Sequence, residues 1–256
     1  LKVLCDLDGV VYRGSEVLPN SAEALRRLIS SDVGIVYITN NSTRSPEMTA
    51  QKITDVADVP VDPDQVVSSP LAATALLEAG DGPVYVVGEE GIRDAVARVG
   101  LETTEQSSEA RTVMVGLTRS ITYEMLAAAT SALRSGARFV ATNNDPTFPT
   151  ETGLAPGAGA IVAALSAASG RSPEVAGKPH SPMRETIRAK GVGDAFVIGD
   201  RLDTDIALAR EEADWRSILV LTGVTTRAEA EGCDADHVVT DLAAAVDLVL
   251  GTGPRS

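Results

Sequence analysis

Two carboxylates two residues apart, Asp6 and Asp8, stand at the end of the apolar run Val3-Leu4-Cys5. Side chains alternate along an extended chain, so both would share a face if strand geometry persisted, and Gly9 then lets the backbone turn sharply. A pair so placed can supply a nucleophile, an acid/base and a seat for a cation. The same residues would also serve as an ordinary turn, because Asp-Gly after a strand is a common turn signal. Three later segments tilt the balance towards chemistry. The run Val33 to Ile38 ends in Thr39-Asn40-Asn41-Ser42, small hydrogen-bonding side chains suited to an oxyanion. Gly177-Lys178-Pro179 sets one lysine between two helix-breaking residues, hence on a loop and held in place. Ala195 to Ile198 runs into Gly199-Asp200-Arg201-Leu202-Asp203-Thr204-Asp205, a further strand tip crowded with carboxylates.

Strand-like apolar runs alternate with helical patterns along the chain, which predicts βαβ units and a mostly parallel sheet, an α/β fold whose ligands bind beyond the carboxyl ends of the strands. Pro19 and Asn20 open a segment with Ala24, Leu25, Leu28 and Ile29 at helical spacing, and a second core helix begins near Pro46. In the last third, helices are expected over 182–189, 204–213 and 242–250, interleaved with strands at 195–198, 217–221 and 236–239. Between the second and third clusters lie about a hundred residues with βα alternation of their own, enough for a second compact layer. Gly/Pro punctuation at Gly80-Asp81-Gly82-Pro83 and Gly170-Arg171-Ser172-Pro173 marks its limits. The expected division is a core of 1–79 and 174–256 with an insert of 80–173.

Asp6-Leu7-Asp8-Gly9-Val10, Thr39-Asn40-Asn41-Ser42, Gly177-Lys178-Pro179 and Gly199 to Ile206 resemble, in order, the four motifs of the haloacid dehalogenase (HAD) superfamily of aspartyl phosphatases. With the long insert between the second and third motifs, the chain is similar to the NagD-like branch, which includes glycerol-phosphate, phosphoglycolate, pyridoxal-phosphate and p-nitrophenyl-phosphate phosphatases. The resemblance implies a Rossmann-like core with an inserted α/β cap domain over the catalytic strand tips.

It also implies roles. Asp6 would be the nucleophile that forms an aspartyl-phosphate, and Asp8 the general acid/base. A haloacid dehalogenase proper lacks the second Asp, so Asp8 favours phosphoryl transfer. Mg²⁺ would be held by Asp6, Asp8 and Asp200, with Asp205 in the outer shell and Asp203 more a helix cap than a ligand. Calcium would hold the nucleophile less well for attack. Thr39 and the Asn40 amide would grip phosphoryl oxygens, with Asn41 a further contact, and Lys178 would neutralise charge between nucleophile and phosphate. The competing reading of Lys178 is an ordinary surface lysine.

Within the insert, Ala141 to Pro149 resembles the substrate-specificity loop of the branch, a strand running into a loop fixed by two prolines. Asp145, with Asn143, would shape that loop, while Thr147 and Phe148 would meet the leaving group. Pyridoxal-phosphate phosphatases have a histidine where this chain has Phe148, which makes that substrate less suitable; Phe148 could equally be a packing aromatic. The expected function is Mg²⁺-dependent hydrolysis of small phosphomonoesters of the glycerol 3-phosphate or phosphoglycolate type. A phosphotransferase, a phosphorylated receiver-type module and a metabolite-binding regulatory protein without turnover are the alternatives, although a receiver needs only about half this length.

Composition narrows the partners. With 36 acidic and 22 basic residues the formal net charge is -14, which disfavours nucleic acid and anionic membranes and leaves a small phosphorylated metabolite. No apolar run approaches the ~20 residues of a bilayer span and no signal-like core opens the sequence, so a cytoplasmic enzyme is expected. Cys5 and Cys233 are expected to be reduced, with Cys5 a small core residue. The branch often dimerises through its cap, so a homodimer is expected.

Overall fold

The computed structural model describes residues 1–150 and 153–252. The first apolar run forms the strand Lys2–Cys5, central in a six-stranded sheet. Gly34–Thr39 and then Val66–Ser68 flank it on one side; Ala195–Gly199, Trp215–Val220 and His237–Val239 follow on the other, all parallel. Val3, Leu4 and Cys5 are fully buried. A parallel strand covered by helices on both faces has no solvent side, which is why it reads as an unbroken apolar run. Since the strands share one direction, their carboxyl ends reach one edge. Pairing of Cys5 with both Tyr37 and Ile198 puts Asp6 beside Ile38 and Gly199, one residue short of Thr39 and Asp200.

Local chemistry sets the connections. Gly9 adopts φ +91°, the left-handed turn that closes the segment after Asp8, and its N–H donates to the Tyr12 carbonyl at 2.8 Å. The helix Ser21–Ile29 buries Ala24, Leu25 and Leu28, whereas Ile29 remains exposed. Ser45 caps the helix Pro46–Ala57 by accepting the Met48 N–H, with Pro46 in its first turn. The helix expected over 204–213 starts earlier and differently: Leu202–Ile206 is a π-helical turn, followed by the α-helical Ala207–Arg210. Asp205 causes the widening. Its Oδ2 accepts the Arg201 N–H at 3.2 Å while the Ile206 N–H reaches back five residues to the Arg201 carbonyl, turning the Asp205 side chain inwards. Gly199 makes this possible, because a Cβ there would overlap the Asp205 carboxylate.

A second, five-stranded parallel sheet is built from Val84–Val87, Thr103–Thr104, Thr112–Val115, Arg138–Ala141 and Glu174–Val175. Where the sequence places the end of the insert at 173, the chain still pairs with Arg138–Ala141 through Glu174 and Val175. One face of this sheet packs Val113, Val115 and Phe139 against the helices Tyr123–Arg134 and Ala158–Ser169. Its other face, with Val84, Val86, Met114 and Val140, belongs to the same apolar cluster as Leu4, Val36, Ile38 and Val67 of the first sheet. Ala72, Ile92 and Met183, from the intervening helices, join that cluster.

The segment expected to be a proline-fixed loop is in part a hairpin: Thr147–Thr150 pairs antiparallel with Gly153–Pro156. Its base is tied by Gly157 N–H to the Pro146 carbonyl and Gly159 N–H to the Asp145 carbonyl; Pro146 precedes the ribbon and Pro149 lies within its first strand, in register with Leu154. Among the described residues no helix is long and apolar enough to cross a membrane.

Because one apolar cluster spans both sheets, Met114→Ala in the second sheet is expected to destabilise the whole chain by about 2–5 kcal/mol. Urea unfolding followed by circular dichroism should show one transition shifted to lower denaturant. Separation into two transitions, with the first sheet unaffected, would contradict the shared core.

Candidate active site

The four motif segments converge at the carboxyl edge of the first sheet. Asp6, which continues the central strand, is 6% exposed, and its Oδ1 accepts Lys178 Nζ at 2.5 Å. The same ammonium donates to Asp205 Oδ1 at 2.7 Å and is itself 3% exposed, so Lys178 is a buried residue and not a surface lysine. Its loop is pinned from several sides. Gly177 N–H donates to the Thr142 carbonyl at 2.7 Å, and Lys178 N–H donates to Asn40 Oδ1 at 2.8 Å.

Asn40 is the clamp of the site. Its Nδ2 donates to the Lys178 carbonyl and to both carboxylate oxygens of Asp145, each at 3.2 Å, while its own carbonyl accepts from Asn143 Nδ2 and Ser69 Oγ. The Asn40 side chain thus joins the second motif, the lysine loop and the loop of the second sheet. Asn41 behaves similarly: its Oδ1 accepts the Thr43 N–H and Thr43 Oγ1. Thr39 Oγ1 accepts the Asn41 N–H at 3.0 Å.

Asp200 is 1% exposed; its Oδ2 accepts the Val224 N–H at 2.6 Å, and its Oδ1 is buried with no hydrogen-bond partner. Carboxylate oxygens of Asp6, Asp200 and Asp205 lie within 4.8 Å of one another. In this cluster of side chains Asp205, expected in an outer role, stands together with Asp6 and Asp200. Asp8 is only partly buried and faces the adjoining cavity. Asp203 turns outwards, mostly exposed, and pairs with Arg201; it makes no cap for the turn that follows.

Burial dominates the electrostatics. It pushes the Asp6 carboxyl well above the usual carboxylate range, with Lys178 opposing and the neighbouring Asp205 and Asp200 reinforcing. Asp200 is raised to about 7, by burial first and Asp205 second. Burial alone would depress Lys178, but Asp205 and Asp6 outweigh it and hold the ammonium above the ordinary lysine range. Three buried carboxylates facing one ammonium leave an excess of negative charge, and the unpartnered Asp200 oxygen is an acceptor without a donor. Oxygen-only ligands, excess negative charge and an orphaned acceptor fit a hard divalent cation.

Asp6, Asp8, Thr39, Asn40, Asn41, Lys178, Asp200 and Asp205 all border one cavity of about 850 Å³, and Asp145, Thr147 and Phe148 of the second-sheet loop border it too. Other lining residues escaped the sequence reading, notably Arg44, Met48, Lys52 and Arg119. The helix Pro46–Ala57 was read only for its apolar face. Its residues 48, 51, 52 and 55 recur at helical spacing on another face, and all line the cavity.

Residues 3–102 match a family model described as haloacid dehalogenase-like hydrolase, and residues 175–245 match a HAD-hydrolase-like model. The chain is 40% identical over 229 residues to a 5'-nucleotidase of Bacillus subtilis, covering 88% of each. It is 36% identical over 236 residues to an acid sugar phosphatase of Staphylococcus haemolyticus, covering 90% of this chain and 89% of the other. Among solved structures it is similar to a p-nitrophenyl phosphatase from Archaeoglobus fulgidus, with TM-score 0.87, 32% identity and coverage of 96% and 98%. A glycerol phosphate phosphatase from Mycobacterium tuberculosis in complex with magnesium aligns with TM-score 0.85 and 36% identity, over 94% of this chain and 74% of that one.

The Asp200 carboxyl binds its proton more tightly in the folded chain than in the unfolded one, where its pKa returns to about 4. Its contribution to stability is therefore present at low pH and lost as pH rises through about 7. In EDTA, urea titrations should show the intact chain losing stability relative to Asp200→Asn between about pH 4 and pH 8. Mg²⁺ at about a hundred times its dissociation constant should add about 2.7 kcal/mol to the intact chain and less to the variant. A flat difference between the two proteins across that range would remove the buried-carboxylate account of the site.

Proposed function

The chain belongs to the haloacid dehalogenase-like hydrolases and is a phosphoric monoester hydrolase, and from that premise we propose a Mg²⁺-dependent enzyme that hydrolyses small-metabolite phosphomonoesters through an aspartyl-phosphate. The observation that carries this reading is Lys178, buried between Asp6 and Asp205 at the floor of the cavity. A buried carboxylate left to itself takes up a proton and ceases to be a nucleophile. The ammonium 2.5 Å from Asp6 Oδ1 opposes that protonation against burial and the neighbouring Asp205 and Asp200.

In the proposed reaction an Asp6 oxygen attacks phosphorus, the bond between phosphorus and the ester oxygen breaks, and Asp8 gives its proton to the departing alkoxide. Water then attacks the aspartyl-phosphate, Asp8 takes its proton, and inorganic phosphate leaves with Asp6 restored. Asp8 suits this exchange because, unlike Asp6 and Asp200, it is partly open to the cavity where alcohol and water exchange. Asp6, Asp8 and Asp200 would hold Mg²⁺, which supplies positive charge between the nucleophile and the phosphoryl oxygens. Asp205 acts from behind, fixing Lys178 through its Oδ1 and the Arg201 backbone through its Oδ2. Thr39, Asn40 and Asn41 form the rim against which the phosphoryl group rests, with Asn40 fixing the rim's position.

Glycerol 3-phosphate and phosphoglycolate are the substrate types proposed first. The cavity supports a second, larger class. At about 850 Å³ it lies near the upper end of ordinary ligand pockets and holds more than a three-carbon alcohol. A sugar phosphate or a nucleoside 5'-monophosphate would fill it, in keeping with the relatives named acid sugar phosphatase and 5'-nucleotidase.

Phosphate release from a panel of these esters and p-nitrophenyl phosphate, with Mg²⁺ or EDTA, tests the reading. Asp6→Asn is expected to lower kcat at least about a thousandfold and Asp8→Asn about 10²- to 10⁴-fold, both folding as the intact chain does. Binding of Mg²⁺ and esters by the intact chain without release of phosphate would instead establish a metabolite-binding protein.

A further inference from the structure

The wall of the cavity carries three cations that the chemistry at phosphorus does not use. Arg44 follows the Thr39–Thr43 turn, Lys52 projects from the helix Pro46–Ala57, and Arg119 lies in the loop after the second-sheet strand Thr112–Val115. Two elements of the first sheet's layer and one of the second thus bring like charges to one void. Among the described residues none of the three has an ion-pair partner within 4 Å. The carboxylates of the same wall are engaged elsewhere, Glu47 with Arg98 and Asp55 with Gln51. In a chain with 36 acidic residues counter-charges are plentiful; the one that acts on Lys52 is Asp8, without an ion-pair contact.

Two of the three cations rest on aromatic faces. Lys52 Nζ stands 3.5 Å from the centroid of the Tyr12 ring, and the Arg119 guanidinium stands 5.7 Å from that of Phe148. A ring face positions a cation and leaves its donors free on the other side. The three groups also repel one another. Lys52 is pushed down to about 8, by burial first and then, against Asp8, by Arg44 and Arg119. Three cations gathered around a void, against the one carboxylate Asp8 that acts on Lys52, leave an excess of positive charge that a further anion would balance. The phosphoryl end of a substrate is already placed at Asp6 and Lys178, so this anion is a different group.

We propose that Arg44, Lys52 and Arg119 form a subsite for a second anionic group on the leaving alcohol, so that the preferred substrates are phosphomonoesters bearing a carboxylate or a second phosphate. The assignment rests on the phosphatase reading above and narrows it, favouring the phosphoglycolate type over glycerol 3-phosphate. Phe148 then acts as the platform for Arg119 and meets the substrate through it.

Matched esters test the subsite. Glycerol 3-phosphate and 3-phosphoglycerate differ only in a terminal hydroxymethyl or carboxylate, and fructose 6-phosphate and fructose 1,6-bisphosphate differ in a second phosphate. Values of kcat/KM with Mg²⁺, using p-nitrophenyl phosphate as a general substrate, are compared for the intact chain, Arg44→Gln, Lys52→Gln and Arg119→Gln. Affinities of the full-length Asp6→Asn protein for the same esters, by calorimetry, read binding independently of turnover. The anionic member of at least one pair is expected to be favoured tenfold or more, and the pair that shows it identifies the second group. That ratio should fall several-fold towards one in the variants, through KM more than kcat, and shrink with added salt. Equal values within both pairs, or a preference that survives all three substitutions, overturns the subsite. If p-nitrophenyl phosphate is hydrolysed while the preference is missing, only the subsite fails. If no ester is hydrolysed, the phosphatase reading fails, and the calorimetric ratios still decide the subsite.

Discussion

Everything at the carboxyl edge of the first sheet depends on one ammonium group held between two buried carboxylates. Lys178 reaches Asp6, 172 residues away in sequence, and Asp205, 27 residues further on. Such a group is costly to desolvate and repays that cost only where geometry is fixed on every side. The fold supplies that fixation in layers. Parallel strands set Asp6 and the Asp200 segment at the same height; the π-helical turn swings Asp205 back beneath the edge; and Asn40 bonds the lysine loop through both its N–H and its carbonyl. Gly199 and the tight lysine loop are local requirements of the same contact.

The second constraint is charge. A chain with a formal net charge of -14 offers a poor approach to a dianionic ester. Two devices act against that field. At the floor, one ammonium and a divalent cation would face the phosphoryl oxygens in a region of low dielectric, where each charge counts for more. On the wall, Arg44, Lys52 and Arg119 stand without ion-pair partners among the described residues and border the same cavity as Asp6. Of the acidic residues of that wall, Glu47 is paired with Arg98 and Asp55 accepts from Gln51. The acidity of the chain as a whole therefore does not set the character of its cavity.

Much of this was legible in the sequence because it is written in short contiguous segments. Strand followed by carboxylates at Val3 to Asp8 and at Ala195 to Asp205, and a lysine between Gly177 and Pro179, are local patterns with local causes, and the structure brings them to one edge. What escaped reading depends on tertiary partners. The π-helical turn arises from a hydrogen bond between Asp205 and the Arg201 N–H, which no helical period announces. The hairpin at Thr147–Thr150 depends on pairing across a turn in which prolines argue against a strand. The bonds of the Asn40 side chain to Lys178 and Asp145 join segments more than a hundred residues apart, which its place after a strand does not announce. The cation wall joins three separated positions that share no motif; only the spacing of residues 48, 51, 52 and 55 carried a signal.

The loop that would meet the alcohol and the residues that would attack phosphorus are tied together by hydrogen bonds in this architecture. Asp145 belongs to the loop that leads into the hairpin bearing Phe148, and it is bonded to the same Asn40 that fixes Lys178. Behind these polar links, Met114 and Val140 of the second sheet share a closed-packed cluster with Leu4 and Ile38 of the first. Interiors packed in this way transmit displacement instead of absorbing it. A leaving group that does not fit beneath Phe148 would strain Asp145, and through Asn40 the position of the ammonium bonded to Asp6. Discrimination between esters would then register in kcat as well as in KM, because the residues that judge the alcohol also hold the nucleophile in its reactive state.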